Sequence, residues 1–402
     1  MKYIVILADG MADRPVAALG GKTPLEAAVT PEMDSLAGAG VLGTCRTVPE
    51  EMTPGSDVAN LAVLGCDPRR CTCGRSSLEA LSLGLPMEPG DVVYRCNLVT
   101  LSEPGPYPQK LLLDHSAGEI TTLEADRLMD AVRARFTTPK LTFYTGTGYR
   151  QLLLWKGGAL AQLEPPHDHL GQAIGSFLPE NPVLRDLMEN SFSLLDTHPV
   201  NRERAAKGLC KGNSLWFWGC GTKPELPVFF ERTGKQGAMI AGVDLLKGIA
   251  VGMGMTVMPV AGANGTLETN YEGKADAALE ALLHGGKDFA YIHIEAPDEM
   301  GHQGRVADKI KAIESIDRRL IARIRKGLVQ AGEDYRLLLL PDHPTPVELR
   351  KHTGDPVPFV LFDSRLRQKR RDFFSERTAA ETAIFLPEGF RLLDILLEKE
   401  SL

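Results

Sequence analysis

Three apolar runs in this chain hand over to residues able to hold a metal ion. "YIVILADG" closes on Asp9. "YIHIEAPDEMGH" leads to Asp298 and, four residues on, His302. "YRLLLLPDH" ends in Asp342 and His343, with His352 following in "RKHTGD". Taken singly, an aspartate after a strand is ordinarily a helix cap, and a lone histidine a polar core or surface residue. The repetition argues otherwise, because caps do not call for histidine. Three aspartates and three histidines would serve two divalent ions at roughly three protein ligands each, with a position left open. Mixed imidazole and carboxylate suits Mn or Zn better than Ca or Mg.

A site of this kind needs something to activate, and "EMTPGSDVANLAVLG" offers Ser56 after a Pro-Gly turn. It stands at the start of the helix predicted for "DVANLAVLG", where free N–H groups and the helix dipole favour an anionic oxygen or a phosphate on it. A metal would lower the serine pKa and make it a nucleophile. The plain alternative is that Ser56 only caps its helix.

The elements that must position these residues are predicted from periodicity. The first forty residues read as strand, loop and helix ("YIVILA", then "PEMDSLAGAG"). "VVYRCNLVTL" and "LTFYTG" read as strands around the helix "TLEADRLMDAVRARF". After about residue 210 the reading alternates: strands "NSLWFWG", "GMTVMPV", "FAYIHIE", "YRLLLLPD" and "PFVLFD", with helices near 240–252, 274–284 and 305–331. Alternation of this kind implies an α/β fold with a doubly wound, mostly parallel sheet, whose ligands collect at the carboxyl ends of the strands. At 402 residues the chain exceeds one ordinary core. The expected organisation is a discontinuous metal-binding domain over 1–84 and 206–402, with a smaller inserted α/β or α+β domain over 85–205.

Composition narrows the function classes. A net charge of -7, from 52 acids and 45 bases without long runs, excludes an electrostatic footprint for nucleic acid. The most apolar long stretch, "GAMIAGVDLLKGIAVGMGMTVMPVAG", carries Asp244 and Lys247 and reads as helix then strand, not a membrane span. "KYIVILADG" after Met1 is a strand rather than a signal peptide, so the expected location is cytoplasmic. Seven cysteines are too sparse for a disulfide scaffold, and "CDPRRCTC" lacks a CxxC pair, so free thiols are expected. "GCGTKP" does not have P-loop spacing.

Together, "VILADGMADRP", "TPGSDVANLAVLGCDPRRCTCGRSSLEALSLGL", "YRCNLVTL", "HIEAPDEMGHQG" and "LLPDHPTPVELRKHTGDPVPF" resemble the alkaline phosphatase superfamily. Within it the chain is most similar to the archaeal-type, cofactor-independent (2,3-bisphosphoglycerate-independent) phosphoglycerate mutases. The likeness extends from the first residues to beyond residue 360. It implies an alkaline-phosphatase-type sheet with an inserted domain. One metal would be held by Asp298, His302 and His352, the other by Asp9, Ser56, Asp342 and His343. Mn is favoured, Zn, Co or Mg remain open, and no 2,3-bisphosphoglycerate is called for. Ser56 would take phosphate from 2- or 3-phosphoglycerate and return it to the other hydroxyl.

Candidate substrate groups are Arg95 and Asn97 in "YRCNLVTL", Arg150 in "TGYRQ", His167 and Asp168 in "PPHDHLG", and Lys247 on an otherwise apolar helix. Arginine binds carboxylate and phosphate bidentately; solvated strand-edge charges and turn residues are the plain alternatives. The likeness departs at two places. Trp218 stands where family members carry an arginine, and "AGE", ending in Glu119, replaces "AGR". Both changes remove positive charge near the substrate. A phosphatase, or a phosphotransferase acting on another small alcohol such as homoserine, is therefore the alternative enzyme. A metal-stabilised binding module is the non-enzymatic one; it would be expected to close its coordination with thiolates or imidazoles.

Overall fold

The computed structural model describes residues 1–71, 74–366 and 373–401. Its strands, in chain order, are β1 (Lys2–Ala8), β2 (Val41–Cys45), β3 (Val92–Leu101), β4 (Leu112–Asp114), β5 (Leu141–Thr145), β6 (Arg150–Trp155), β7 (Ser214–Thr222), β8 (Gly237–Ile240), β9 (Thr256–Val257), β10 (Phe289–Ile294), β11 (Tyr335–Leu340), β12 (Val357–Asp363) and β13 (Phe385–Leu386). The chain divides into two compact units, Met1–Thr72 with Glu225–Leu402, and Cys73–Pro224.

The first unit is built on an eight-stranded sheet in the order β13-β2-β12-β11-β1-β10-β8-β9. Five of its pairings are parallel; only β12 runs against its two neighbours. The unbroken apolar run Ile4–Ala8 is wholly buried, as a central parallel strand with both faces covered requires. On one face, Ile4, Ile6 and Ala8 pack with Ala290, Ile292 and Ile294 and with Leu337 and Leu339. The helix Tyr271–Leu283 closes over them with Ala275, Ala278 and Ala281. Burying a large aliphatic side chain of this kind contributes about 1.5–3 kcal/mol, so this stack of strands is the rigid part on which the loops rest.

Register decides where those loops begin. Ala8 lies opposite Ile294 and Leu7 opposite Leu340. Being parallel, β1, β10 and β11 therefore release Asp9, the Ala296–His302 helix and the Asp342–His343 pair at one level, on one edge of the sheet. Gly10 makes the first turn possible. It adopts φ +60°, and a Cβ there would stand 2.6 Å from the Asp298 Cα, so only glycine permits this approach.

The second unit carries an antiparallel sheet in the order β4-β3-β6-β5, with β7 also on β3. Its own core joins Tyr94, Cys96 and Leu98 to Leu128, Met129 and Val132 of the helix Thr122–Phe136, and to Leu184 and Met188 of Pro182–Leu195. Here the structure differs from the sequence reading. "NSLWFWG" does not join the parallel sheet: it is β7, paired with β3 through Leu215–Leu98, Trp216–Asn97 and Phe217–Cys96. Leu215, Trp216 and Phe217 complete this second core, and the helix Arg75–Ser82 also lies in this unit. Among the described residues, no helix is long and apolar enough to cross a membrane.

Candidate metal centre

Two groups of side chains converge at the strand ends of the first unit. In the first, Nε2 of His302 lies 3.2 Å from Asp298 Oδ2, and Nε2 of His352 lies 3.4 Å from Asp298 Oδ1. The two imidazole nitrogens are 2.8 Å apart. His302 Nδ1 is 3.0 Å from the Arg350 carbonyl, which can only accept, so this nitrogen carries the proton. In the protonated ring Nε2 also carries a proton and donates to the Asp298 carboxylate; in the neutral ring Nε2 is left with the bare lone pair that a metal ligand needs. Asp298 itself is held on its helix by the hydroxyl of Thr345, which donates to Oδ1.

The second group gathers on His343. Its Nε2 is 3.2 Å from Ser56 Oγ, 3.4 Å from Asp342 Oδ2 and 3.7 Å from Asp9 Oδ1. The His343 and His352 rings stack with centroids 3.9 Å apart, joining the two groups. Gly55, not Ser56, is the N-cap of the helix Ser56–Val63. The serine hydroxyl is thus free of capping duty and turns to the histidine.

The electrostatics show what is missing from a purely protein network. Burial, followed by the neighbouring carboxylates of Asp342, Asp298 and Glu295, pushes Asp9 well above the usual carboxylate range. Burial also acts on Asp298, yet its bonds to His302 and His352 hold it well below that range. The contact with Asp298 pushes His302 up to about 9; burial pushes His343 down. Asp9 Oδ1 is buried, and among the described residues no hydrogen-bond donor reaches it. Crowded carboxylates, an orphaned oxygen and converging imidazole nitrogens are a donor set that fits divalent cations.

Several neighbours of this cluster are not evident from local sequence. Asn60, one helical turn after Ser56, donates to Asp342 Oδ2 at 3.1 Å and receives the Tyr291 hydroxyl at 2.6 Å. His293, on the same face of β10 as Tyr291, places Nε2 3.1 Å from Asp9 Oδ2, and burial pushes its pKa down to about 4. Lys274 reaches under the strand to the His293 carbonyl at 2.9 Å. The signal for Tyr291 and His293 was present in "YIHI": two polar-capable rings at period two within a buried strand share one face.

The candidate substrate residues fall in two places. In the second unit, Trp218 is the hub. Its ring lies 4.6 Å from the Arg95 guanidinium and 5.5 Å from the His167 ring, and its Nε1 donates to Asn97 Oδ1 at 3.0 Å. Arg95 is also bound by both carboxylate oxygens of Glu79. His167 lies 3.8 Å from Asp168, and both are exposed. Arg150 is exposed over the Tyr149 ring at 4.5 Å, and His115 bridges edge-on between Tyr149 and His167. Glu119 adopts φ +51° and bonds the Ser116 hydroxyl through its N–H. In the first unit, Lys247 turns back along its own helix to Asp244 at 3.0 Å.

Comparison with known proteins gives this geometry its context. The profile described as 2,3-bisphosphoglycerate-independent phosphoglycerate mutase matches residues 37–201. A probable 2,3-bisphosphoglycerate-independent phosphoglycerate mutase of Geobacter sulfurreducens is 46% identical, over 99% of this chain and 100% of its own. The 2,3-bisphosphoglycerate-independent phosphoglycerate mutase of Methanothrix thermoacetophila is likewise 46% identical, with the same coverage. Among solved structures, a cofactor-independent phosphoglycerate mutase from Thermoplasma acidophilum superposes with a TM-score of 0.68 at 27% identity, covering 99% of this chain and 100% of that one. A Pyrococcus horikoshii protein superposes with a TM-score of 0.80 at 28% identity, covering 100% and 98%. With relatives this similar over its full length, the chain belongs to the 2,3-bisphosphoglycerate-independent phosphoglycerate mutase family.

Proposed function

We propose that this protein interconverts 2-phosphoglycerate and 3-phosphoglycerate through a phosphoserine at Ser56, without 2,3-bisphosphoglycerate. The observation that carries this reading is Ser56 Oγ, 3.2 Å from His343 Nε2 within the group formed with Asp9 and Asp342. An uncapped serine hydroxyl at a helix start, facing a metal-ligand cluster, is the arrangement a phosphoryl acceptor needs.

The residues that would hold two divalent cations are Asp298, His302 and His352 for one, and Asp9, Ser56, Asp342 and His343 for the other, with Mn the best match to the mixed donor set. When bound, such ions lower the pKa of a serine hydroxyl and offset the charge of the phosphoryl group. The chain itself does the rest. The helix Ser56–Val63 carries Oγ in its first turn and would present its free N–H groups to phosphate. Oγ gives up its proton and forms the bond to phosphorus as the bond to the glycerate oxygen breaks, and that oxygen takes up a proton and leaves as a hydroxyl, so no net proton is consumed. The reverse transfer to the other hydroxyl then restores the serine. Arg95, Asn97, Arg150, His167 and Asp168 are the groups we assign to the glycerate, with Lys247 assigned to the phosphate. The fold is read as the alkaline-phosphatase type with Cys73–Pro224 inserted, and the reaction as cytoplasmic.

Phosphorus NMR of Mn-loaded protein given 3-phosphoglycerate, with no bisphosphoglycerate added, tests the reading. A growing 2-phosphoglycerate signal is expected, and Ser56→Ala should abolish it with bound metal retained. Inorganic phosphate alone would replace the mutase by a phosphatase. Full activity in Ser56→Ala would remove the covalent route.

A further inference from the structure

We propose that Asn60 and Tyr291 form one positioning relay, in which the tyrosine fixes the asparagine amide and the amide holds the Ser56 turn and the Asp342 carboxylate in a single geometry. The proposal rests on the reading of Ser56 and Asp342 given above.

The direction of the relay follows from donor chemistry. Asp342 as a carboxylate only accepts, so the Asn60 NH2 group must face it, at 3.1 Å. The second N–H of that group goes to the Ser56 carbonyl at 2.8 Å. The amide oxygen then points at Tyr291, whose hydroxyl donates to it at 2.6 Å. Every hydrogen-bonding position of the amide's two donors is used, and both Asn60 and Tyr291 are completely buried. Burial, with Asp342 and Asp9 nearby, pushes Tyr291 well above its ordinary value, so its hydroxyl remains a donor.

The far end of the relay completes the carboxylate. Asp342 Oδ1 accepts the N–H of Gly10 at 3.1 Å and of His343 at 2.8 Å. With Asn60 on Oδ2, both oxygens are oriented, and Oδ2 also lies 3.4 Å from His343 Nε2. Both secondary-structure periods are needed for this. Ser56 and Asn60 share a helix face at i and i+4, and Tyr291 projects from β10 on the face of His293. The nucleophile's helix is thereby tied to the loop after β11 through one side chain. Groups bonded behind a metal ligand typically tune affinity and activity by 10–100-fold.

Tyr291→Phe keeps the ring and removes only the donor. Mn titrated into chelator-treated protein, followed by the EPR signal of free Mn, should show affinity lowered about tenfold. On 3-phosphoglycerate, kcat should fall about tenfold with KM within about twofold, since misplacement acts on the reacting atoms rather than on substrate binding. Asn60→Ala should show the same losses or larger ones. Because the two act as a unit, the double variant should be no worse than Asn60→Ala. If Tyr291→Phe does not fold, Asn60→Ala alone carries the metal titration. A Tyr291→Phe protein that melts lower but binds Mn and turns over like the parent would reduce the pair to a packing role and overturn the relay. Additive losses in the double variant would do the same. Should the parent fail to interconvert phosphoglycerates, the mutase reading falls, while the Mn titration still decides the relay.

Discussion

Asp9 shows at the level of one residue how a site can work against the fold that carries it. Its carboxyl is buried, lies near three other carboxylates and has one oxygen that no donor reaches among the described residues. The sign is fixed by the raised pKa. The folded state tolerates a neutral Asp9, so without metal it loses stability as pH rises above the ordinary carboxylate value of about 4. Asp9→Asn should therefore raise the melting temperature at pH 7 in the presence of a chelator. With Mn present the order should reverse, because the variant lacks a ligand and gains less from binding. Melting curves of both proteins under both conditions check this. A variant that melts lower than the parent in chelator would show that Asp9 stabilises the bare fold.

At the scale of elements, the long helical run from Val306 to Ala331 passes through a π-type segment, Ile316–Ile321. There Asp317 is buried and accepts the N–H of Met33 at 2.8 Å, at the start of the helix Pro31–Ala39. Burial pushes its pKa up to about 6. A carboxyl raised in this way is harmless below about pH 4, where it is protonated in both states, and destabilising once pH passes 6. Asp317→Asn keeps an acceptor for Met33, so it should melt a few degrees higher than the parent at pH 7.5 and equally at pH 4. An equal difference at both values would assign the effect to packing instead.

Elements also set what could be read from sequence. Asp9, Asp298, Asp342 and His343 announce themselves because each closes or follows an apolar run, and parallel strands end together. The run "SLWFW" has no alternation, so nothing local separates a parallel-sheet strand from its actual place beside β3, more than a hundred residues earlier. "GAMI", at the head of the stretch that reads as helix then strand, is instead the short strand β8 ahead of the helix Asp244–Gly252, and of the longer "GMTVMPV" only Thr256–Val257 is strand. Asn60 and Tyr291 lie within hydrophobic stretches, where their partners come from 231 residues away.

Over the whole molecule, each unit has its own sheet and core. The second is one continuous stretch, and among the described residues its sheet is made of its own strands β3 to β7. Residues 73–224 expressed alone should fold: dispersed amide resonances and cooperative unfolding are expected, with no Mn binding. A collapsed product without cooperative unfolding would show that its core depends on the remainder. The first unit cannot be made this way, since Tyr3 of β1 meets Phe289 of β10, 286 residues later, and Lys2 meets Tyr335 of β11, 333 residues later. On the ribosome, at about 5–20 residues per second, roughly 15–55 s separate the emergence of β1 from that of β10. During that interval an apolar strand with two open edges waits, the kind of segment that seeks unintended pairing. Asp9 and Ser56 emerge early and their partners late, so a nascent chain has no metal centre to fill until it is nearly complete.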